Sequence, residues 1–263
     1  MENIITSKDN PIIKLYQRLS SSKKERLQYG LFVLEGLRLV EDAIKEEAAI
    51  EHILVTEGCQ DKYADTLSQA DLRNTKVIVI SNELGKRISS TENTQGLFAL
   101  CHTPQAVKPE SIFCDGGRYA VLYGLQDPGN VGMIIRTADA LGIDGVISCQ
   151  SCEIYNPKVV RSTMGSLFRM KIIVENDTDA LFEMLENCGV ASLASVIDTD
   201  AQPVTSLESH SRMAVFIGNE GNGLPCEVSA RCTVRTTIPM TGTINSLNAA
   251  MAAGILMWEI RKI

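Results

Sequence analysis

From Arg118 onward, short continuous apolar runs alternate with segments of helical periodicity, and this alternation limits the fold more than any other feature of the chain. Arg118–Tyr123, Gly145–Ser148, Lys171–Val174, Val190–Ile197 and Met213–Ile217 read as strands, with helices over 130–141, 155–168 and 178–187 between them. Strands that alternate with helices imply a parallel sheet covered on both faces. Such a sheet places a ligand site at the C-terminal ends of its strands. Turns rich in glycine and asparagine stand where those ends fall: 124–130, Val215–Pro225 and Ile238–Asn248.

Local signals refine the pattern. The helix starting near Asn130 carries Val131, Ile134, Ala138 and Leu141 on one face and stops at Gly142. Arg136 lies on another face with Gly132 and Met133, where an ion pair with Asp139 at i+3 is its simplest structural role. Residues 155–168 form a helix with Asn156 as N-cap and Pro157 at its first position. Asn245–Ser246 is an N-cap pair for the last helix, in which Leu247, Met251, Ile255 and Trp258 recur at helical spacing. Alanines and Gly254 surround that stripe, so the helix is expected to be buried on several sides, against its own sheet and a second subunit.

The first 103 residues alternate similarly, with a helical stretch over 8–29, strands near 31–34, 50–55, 76–80 and 96–101, and helices near 35–44, 59–70 and 81–89. They make a compact α/β domain. Residues 104–117, with Pro104, Pro109, Gly116 and Gly117 and little periodicity, mark a linker, leaving 118–263 as the second domain.

Net charge is −7, which argues against indiscriminate nucleic-acid binding over the whole surface. Residues 1–40 nevertheless carry seven Lys/Arg against four Asp/Glu, so this segment is +3 and the remainder −10. An RNA partner should meet that end first, at Lys14, Lys23, Lys24, Arg26 and Arg38, although each alone reads as an ordinary solvated charge. No leader and no membrane-length apolar run occurs, and eight scattered cysteines suit reduced thiols, so the cytoplasm is the expected location. Cys149 and Cys152 have metal or redox spacing, but without a second pair they read as half-buried thiols, and no metal is expected. The order Gly218-x-x-Gly221-x-Gly223 is not the dinucleotide fingerprint, and no phosphate-loop Gly-Lys-Ser/Thr follows.

Three segments, Asp127–Arg136, Val215–Pro225 and Ile238–Asn248, resemble in order and separation the three motifs of the SpoU (TrmH-type) RNA 2′-O-ribose methyltransferases of the SPOUT superfamily. Ser7–Pro11 with Lys14, and Phe32–Arg38, are similar to the N-terminal substrate-binding domain of those enzymes, which has an L30e-like fold. The resemblance implies a C-terminal SPOUT α/β domain with a trefoil knot behind an L30e-like domain at 1–103. It also implies S-adenosylmethionine held around Gly218, Ile238 and Leu247, a homodimer, and a structured RNA substrate, ribosomal rather than transfer RNA; neither DNA nor a membrane is an expected partner. The matched functional positions are Asn130, Arg136, Glu220 and Asn248.

Methyl transfer to a hydroxyl requires alignment of the oxygen and removal of its proton. Arg136 is assigned to the ribose and its phosphate, and Asn130, Glu220 and Asn248 to fixing the loops and the hydroxyl. A permanently protonated guanidinium is a poor base, so a phosphate oxygen or water held by Arg136 is the more economical proton acceptor. Taken singly, Asn130 can serve as a helix cap, Asn248 as a backbone partner, and Glu220 as a local acceptor in a glycine turn. Two other classes stay open: a noncatalytic RNA-binding protein of the same fold, separable by cofactor binding, and a nucleotide-dependent oxidoreductase, separable by NAD titration.

Overall fold

The computed structural model describes residues 4–70, 74–243 and 246–261, which form two compact units. Residues up to Gln105 make the first, together with Tyr155–Phe168 lent by the second half of the chain; Ala106–Ile154 and the residues from Arg169 onward make the second.

In the first unit, α1 (Pro11–Ser21) starts where the Asn10 side chain accepts from the Ile12 N–H at 2.9 Å and Pro11 supplies a preset φ. The helical stretch expected over 8–29 is two helices. Ser22 is extended (φ −126°), and its hydroxyl caps α2 (Lys23–Tyr29) by accepting from the Glu25 N–H. There follow β1 (Leu31–Glu35), α3 (Leu37–Lys45), β2 (Ile50–Thr56), α4 (Ala64–Ser68), β3 (Lys76–Ile80), α5 (Asn82–Ile88) and β4 (Leu97–His102). The helix expected over 59–70 is α only at α4, preceded by short 3₁₀ turns. The sheet order is β1-β4-β2-β3, with β3 parallel to β2 and the other pairs antiparallel. Strand alternation divides its faces: Leu31 and Val33 pack with Ile13, Tyr16 and Leu19 of α1 and with Leu84 and Ile88 of α5. Phe32 points the other way, onto Tyr155 and Phe168.

The second half contains β5 (Arg118–Tyr123), α6 (Pro128–Leu141), β6 (Gly145–Cys149), α7 (Pro157–Thr163), β7 (Ile172–Val174), α8 (Thr178–Asn187), β8 (Ala191–Ser195), β9 (Gln202–Pro203), β10 (Met213–Ile217), α9 (Cys226–Arg231), β11 (Val234–Thr237) and α10 (Ala249–Ile260). Its sheet runs β7-β6-β5-β10-β8-β11-β9 with every pairing parallel. The fully buried β10, inserted between β5 and β8, brings its terminal glycine turn to the middle of one sheet end. The stretch 104–117 buries Ile112 and Phe113 in the core with Tyr119, Phe182 and Phe216.

Helix α7, expected over 155–168, stops at Thr163 because Met164 (φ 49°) and Gly165 (φ +90°) are left-handed. A Cβ at Gly165 would lie 1.7 Å from an Asp42 carboxylate oxygen, so the tight approach to α3 requires glycine. The N-cap of α10 is Asn248, not the Asn245–Ser246 pair, of which Asn245 lies outside the described residues. The apolar stripe is also redistributed. Ala250, Ala253, Leu256, Met257 and Ile260 are buried, whereas Met251 is 60% and Trp258 43% exposed. Small residues let α10 lie close to α6, where a Cβ at Gly254 would stand 3.7 Å from a Thr137 methyl carbon, while Met251 and Trp258 project outward. Among the described residues no helix is long and apolar enough to cross a membrane.

Candidate active site

Three loops at the C-terminal ends of the strands are joined by one chain of hydrogen bonds. Glu220, in the turn after β10, accepts from the Asp127 N–H at 3.0 Å and the Asn130 amide at 3.1 Å through Oε1, and from the Gln126 N–H at 3.1 Å through Oε2. The oxygen of Asn130 accepts from the Asn248 amide at 3.0 Å. Asn248 in turn accepts from the Ala250 and Met251 N–H groups that open α10. The direction of the chain is set at both ends, since an ionised carboxylate only accepts and a helix N-terminus only donates. Each asparagine is therefore held in one amide orientation. Partial burial acts to raise the Glu220 pKa, but the Asn130 amide and the N–H groups of Asp127 and Gln126 outweigh it and hold the carboxyl below its usual range.

The turn after β10 is folded by Asn219. Asn219 and Gly223 exchange backbone hydrogen bonds of 3.0 and 2.9 Å, and the Asn219 side chain accepts from the N–H groups of Gly221 and Asn222. A Cβ at Gly218 would come within 2.3 Å of the Gly223 carbonyl carbon, so the turn closes only around glycine. Beneath it a cleft of about 390 Å³ opens at the ends of β8, β10 and β11, walled by Ile197, Ile217, Ile238, Met240 and Leu247 and by the main chain of Gly218–Gly223. Aliphatic walls with exposed peptide groups fit the adenosine of S-adenosylmethionine. Gly218, Ile238 and Leu247 all line this cleft. A more polar cavity adjoins it, lined by Gln126, Asp127, Asn130, Glu220, Ser246 and Asn248, and Glu220, Ser246, Leu247 and Ala249 border both spaces.

Arg136 stands apart from this cluster. It is exposed on α6, lines neither cavity, and makes no hydrogen bond or ion pair among the described residues. Asp139, its suggested partner, instead takes two hydrogen bonds from Arg169 at 2.8 and 3.0 Å.

The basic residues of the first unit also separate. Arg26 is 4% exposed and donates to the Leu19 carbonyl, so it ties α1 to α2 rather than facing a partner. Lys23 and Lys24 are exposed, Lys14 pairs with Asp9 at 2.8 Å, and Arg38 reaches Asp42 at 3.8 Å and the Met164 carbonyl. Burial pushes the thiols of Cys149 and Cys152 up to about 11 each, the character of inert structural cysteines.

Sequence reasoning missed Gln126, Ser246 and Arg235. The Gln126 amide donates to the Gly124 and Gln150 carbonyls, both at 3.2 Å, and Arg235 pairs with Asp198 beside the cleft. Nothing in their spacing sets them apart; only the meeting of loops distant in sequence does.

The model of the SpoU rRNA Methylase family matches residues 117–258, which contain all three loops. The chain belongs to this family. It is accordingly an RNA methyltransferase, and residues 10–99 match the MRM3-like substrate binding domain. It is 30% identical over 259 residues to the 23S rRNA (guanosine(2553)-2'-O)-methyltransferase RlmP of Bacillus subtilis, covering 98% of each protein. The AdoMet-bound rRNA methyltransferase of Sinorhizobium meliloti superposes with a TM-score of 0.88 at 28% identity, covering 99% of this chain and 97% of that one. The SpoU methyltransferase AviRb of Streptomyces viridochromogenes, in complex with AdoMet, gives 0.86 at 25% identity over 96% and 97%. Both α/β units of the chain are thus shared with solved methyltransferases of this kind.

Proposed function

We propose that this protein methylates a ribose 2′-hydroxyl of ribosomal RNA, with S-adenosylmethionine bound in the apolar cleft and the acceptor nucleotide in the polar cavity beside it. The observation that carries this assignment is the hydrogen-bonded chain from Glu220 through Asn130 and Asn248 to the start of α10, which fixes the boundary shared by the two spaces. The similarity over nearly the full length to a 23S rRNA 2′-O-methyltransferase supports the choice of RNA, and a guanosine is the first nucleotide to test.

Bound in the cleft, the cofactor supplies an electrophilic methyl group on a positively charged sulfur. Glu220 holds the first two loops together through its accepted bonds, and a carboxylate kept below its usual pKa is a poor base for a hydroxyl. Glu220 is also engaged by three donors, and we assign proton removal to a phosphate oxygen or water oriented by Arg136. Since Arg136 shares an exposed face with Met133, and α6 packs against α10 with its exposed Met251 and Trp258, we assign that face to a homodimer contact. Arg136 then serves the partner's cavity. In this assignment the protein works in the cytoplasm, the C-terminal segment threads the knot of its superfamily, and Lys14, Lys23 and Lys24 face the RNA.

Mapping ribose methylation across total RNA with and without the gene tests the function. One ribosomal position is expected to lose its methyl group, and the purified protein with labelled cofactor to restore it. An unchanged map together with no transfer to ribosomal RNA would refute the assignment. R136K is expected to lose most turnover, because a point charge cannot hold two oxygens bidentately.

A further inference from the structure

The substrate-binding unit has two helical faces of opposite charge. On one, α1 and α5 close the core with their apolar sides and turn Lys14, Arg18, Lys86 and Arg87 outward. Lys8 precedes α1, and α2, which carries the exposed Lys23 and Lys24, packs against α1. Lys14, at 2.8 Å, and then Lys8 and Arg87 hold the Asp9 carboxyl below its usual range, in keeping with the packing of α5 beside α1. The opposite face is acidic. There α3 and α4, joined by the Thr66 hydroxyl donating to Glu41 at 3.1 Å, expose Glu41 and Asp65, with Glu46 and Glu47 just after α3 and Asp61 in the turn before α4, around fewer basic residues. Asp42 of α3 against Gly165, and Phe32 against Tyr155 and Phe168, place α3 on the side of the sheet away from α1 and α5.

We infer that the RNA phosphate backbone docks on the α1/α5 face, with Lys86 and Arg87 of α5 as contacts alongside Lys14 and Arg18. This rests on the assignment of RNA as substrate and specifies where the first unit holds it. A chain of net charge −7 repels polyanions in general, so a one-sided cationic surface orients the nucleic acid as well as attracting it. Phosphates held by lysine and arginine release counterions, which makes the contact measurable as a salt slope. Arg38 and the buried Arg26 lie outside this face.

The test is the affinity of the full chain for a ribosomal RNA transcript over a range of salt, for wild type, the K86E/R87E double variant, K86Q/R87Q, and K45E/K62E on the acidic side. K86E/R87E is expected to weaken RNA binding by roughly tenfold or more and to flatten the dependence of log K on log salt by about one to two units. K86Q/R87Q should fall between it and wild type, and K45E/K62E should bind like wild type. Cofactor binding and melting temperature should be unchanged in all three variants. Wild-type affinity and slope in K86E/R87E, or an equal loss in K45E/K62E, would overturn the inference. A wild-type protein that binds cofactor but methylates no RNA would instead overturn the proposed function, whatever the variants do.

Discussion

At the residue scale, the site depends on amide groups that each have one permitted orientation. Asn130 can donate to Glu220 and accept from Asn248 only as an amide, so N130D keeps an acceptor for Asn248 but removes the donor to Glu220 and sets a second carboxylate against the first. N130D is expected to abolish most methyl transfer and to cost about 1–3 kcal/mol of stability, read from denaturant unfolding and labelled-methyl incorporation. Glu35 is a second depressed carboxylate. Burial raises its pKa, but hydrogen bonds from Ser89 (2.6 Å), the Ser90 N–H (3.1 Å) and Thr91 (3.1 Å) outweigh that effect, and the net shift is downward. A carboxyl with a folded pKa below its unfolded value adds stability that is complete above about 4.3 and is lost as pH falls through the folded pKa. Melting temperature should therefore drop below about pH 4 in wild type, and E35Q should show a lower neutral plateau with a shallower acid limb. An equally steep limb in E35Q would assign the acid sensitivity elsewhere.

At the element scale, two glycines decide shapes that the surrounding helices and strands cannot. Gly165 lets the segment after α7 meet Asp42, and Gly218 lets the β10 turn fold back on Gly223. G218A forces the turn open at the wall of the cleft. Cofactor affinity should fall by roughly tenfold or more, the equivalent of overpacking worth about 1–3 kcal/mol, while far-ultraviolet circular dichroism stays unchanged. Cofactor binding at wild-type strength would show that the turn can relax without altering the cleft. Most of the strands of the second unit were legible because a sheet buried on both faces demands uninterrupted apolar runs, as in Met213–Ile217. The same signal fails at β11, where Val234–Thr237 reads Val-Arg-Thr-Thr with a single apolar residue, and at α9, which is only six residues long. It fails again at 155–168, where helical spacing continues across Met164 and Gly165 although the backbone there turns left-handed.

At the scale of the whole molecule, the last helix carries two surfaces, one packed on α6 and one exposed. Its alanines let it approach α6, and Met251 and Trp258 remain outside, with Arg261 stacked 3.8 Å from the Trp258 ring. Under the proposed homodimer contact, M251E/W258A is expected to sediment as a monomer where the wild type sediments as a dimer and to lose methyl transfer, with cofactor binding retained. A wild-type chain that sediments as a monomer would remove the assigned role of that face.

What the amino-acid sequence determined by itself was the α/β character, the parallel sheet of the second unit, the three turns at its strand ends and the identity of Asn130, Glu220 and Asn248. The first three follow from local periodicity and turn chemistry, which act over a few residues; the three side chains were marked only by the likeness of their segments to the family's motifs. Tertiary structure alone decided that those three side chains form a single polarised chain, that Gln126 and Ser246 join their cavity, that Arg26 is buried, and that α5, with Lys86 and Arg87, packs beside α1. It also left Arg136 on an outer face instead of beside the glycine turns. Each depends on segments tens of residues apart being brought together by the closing of a sheet or the docking of a helix, a contact that no local pattern encodes.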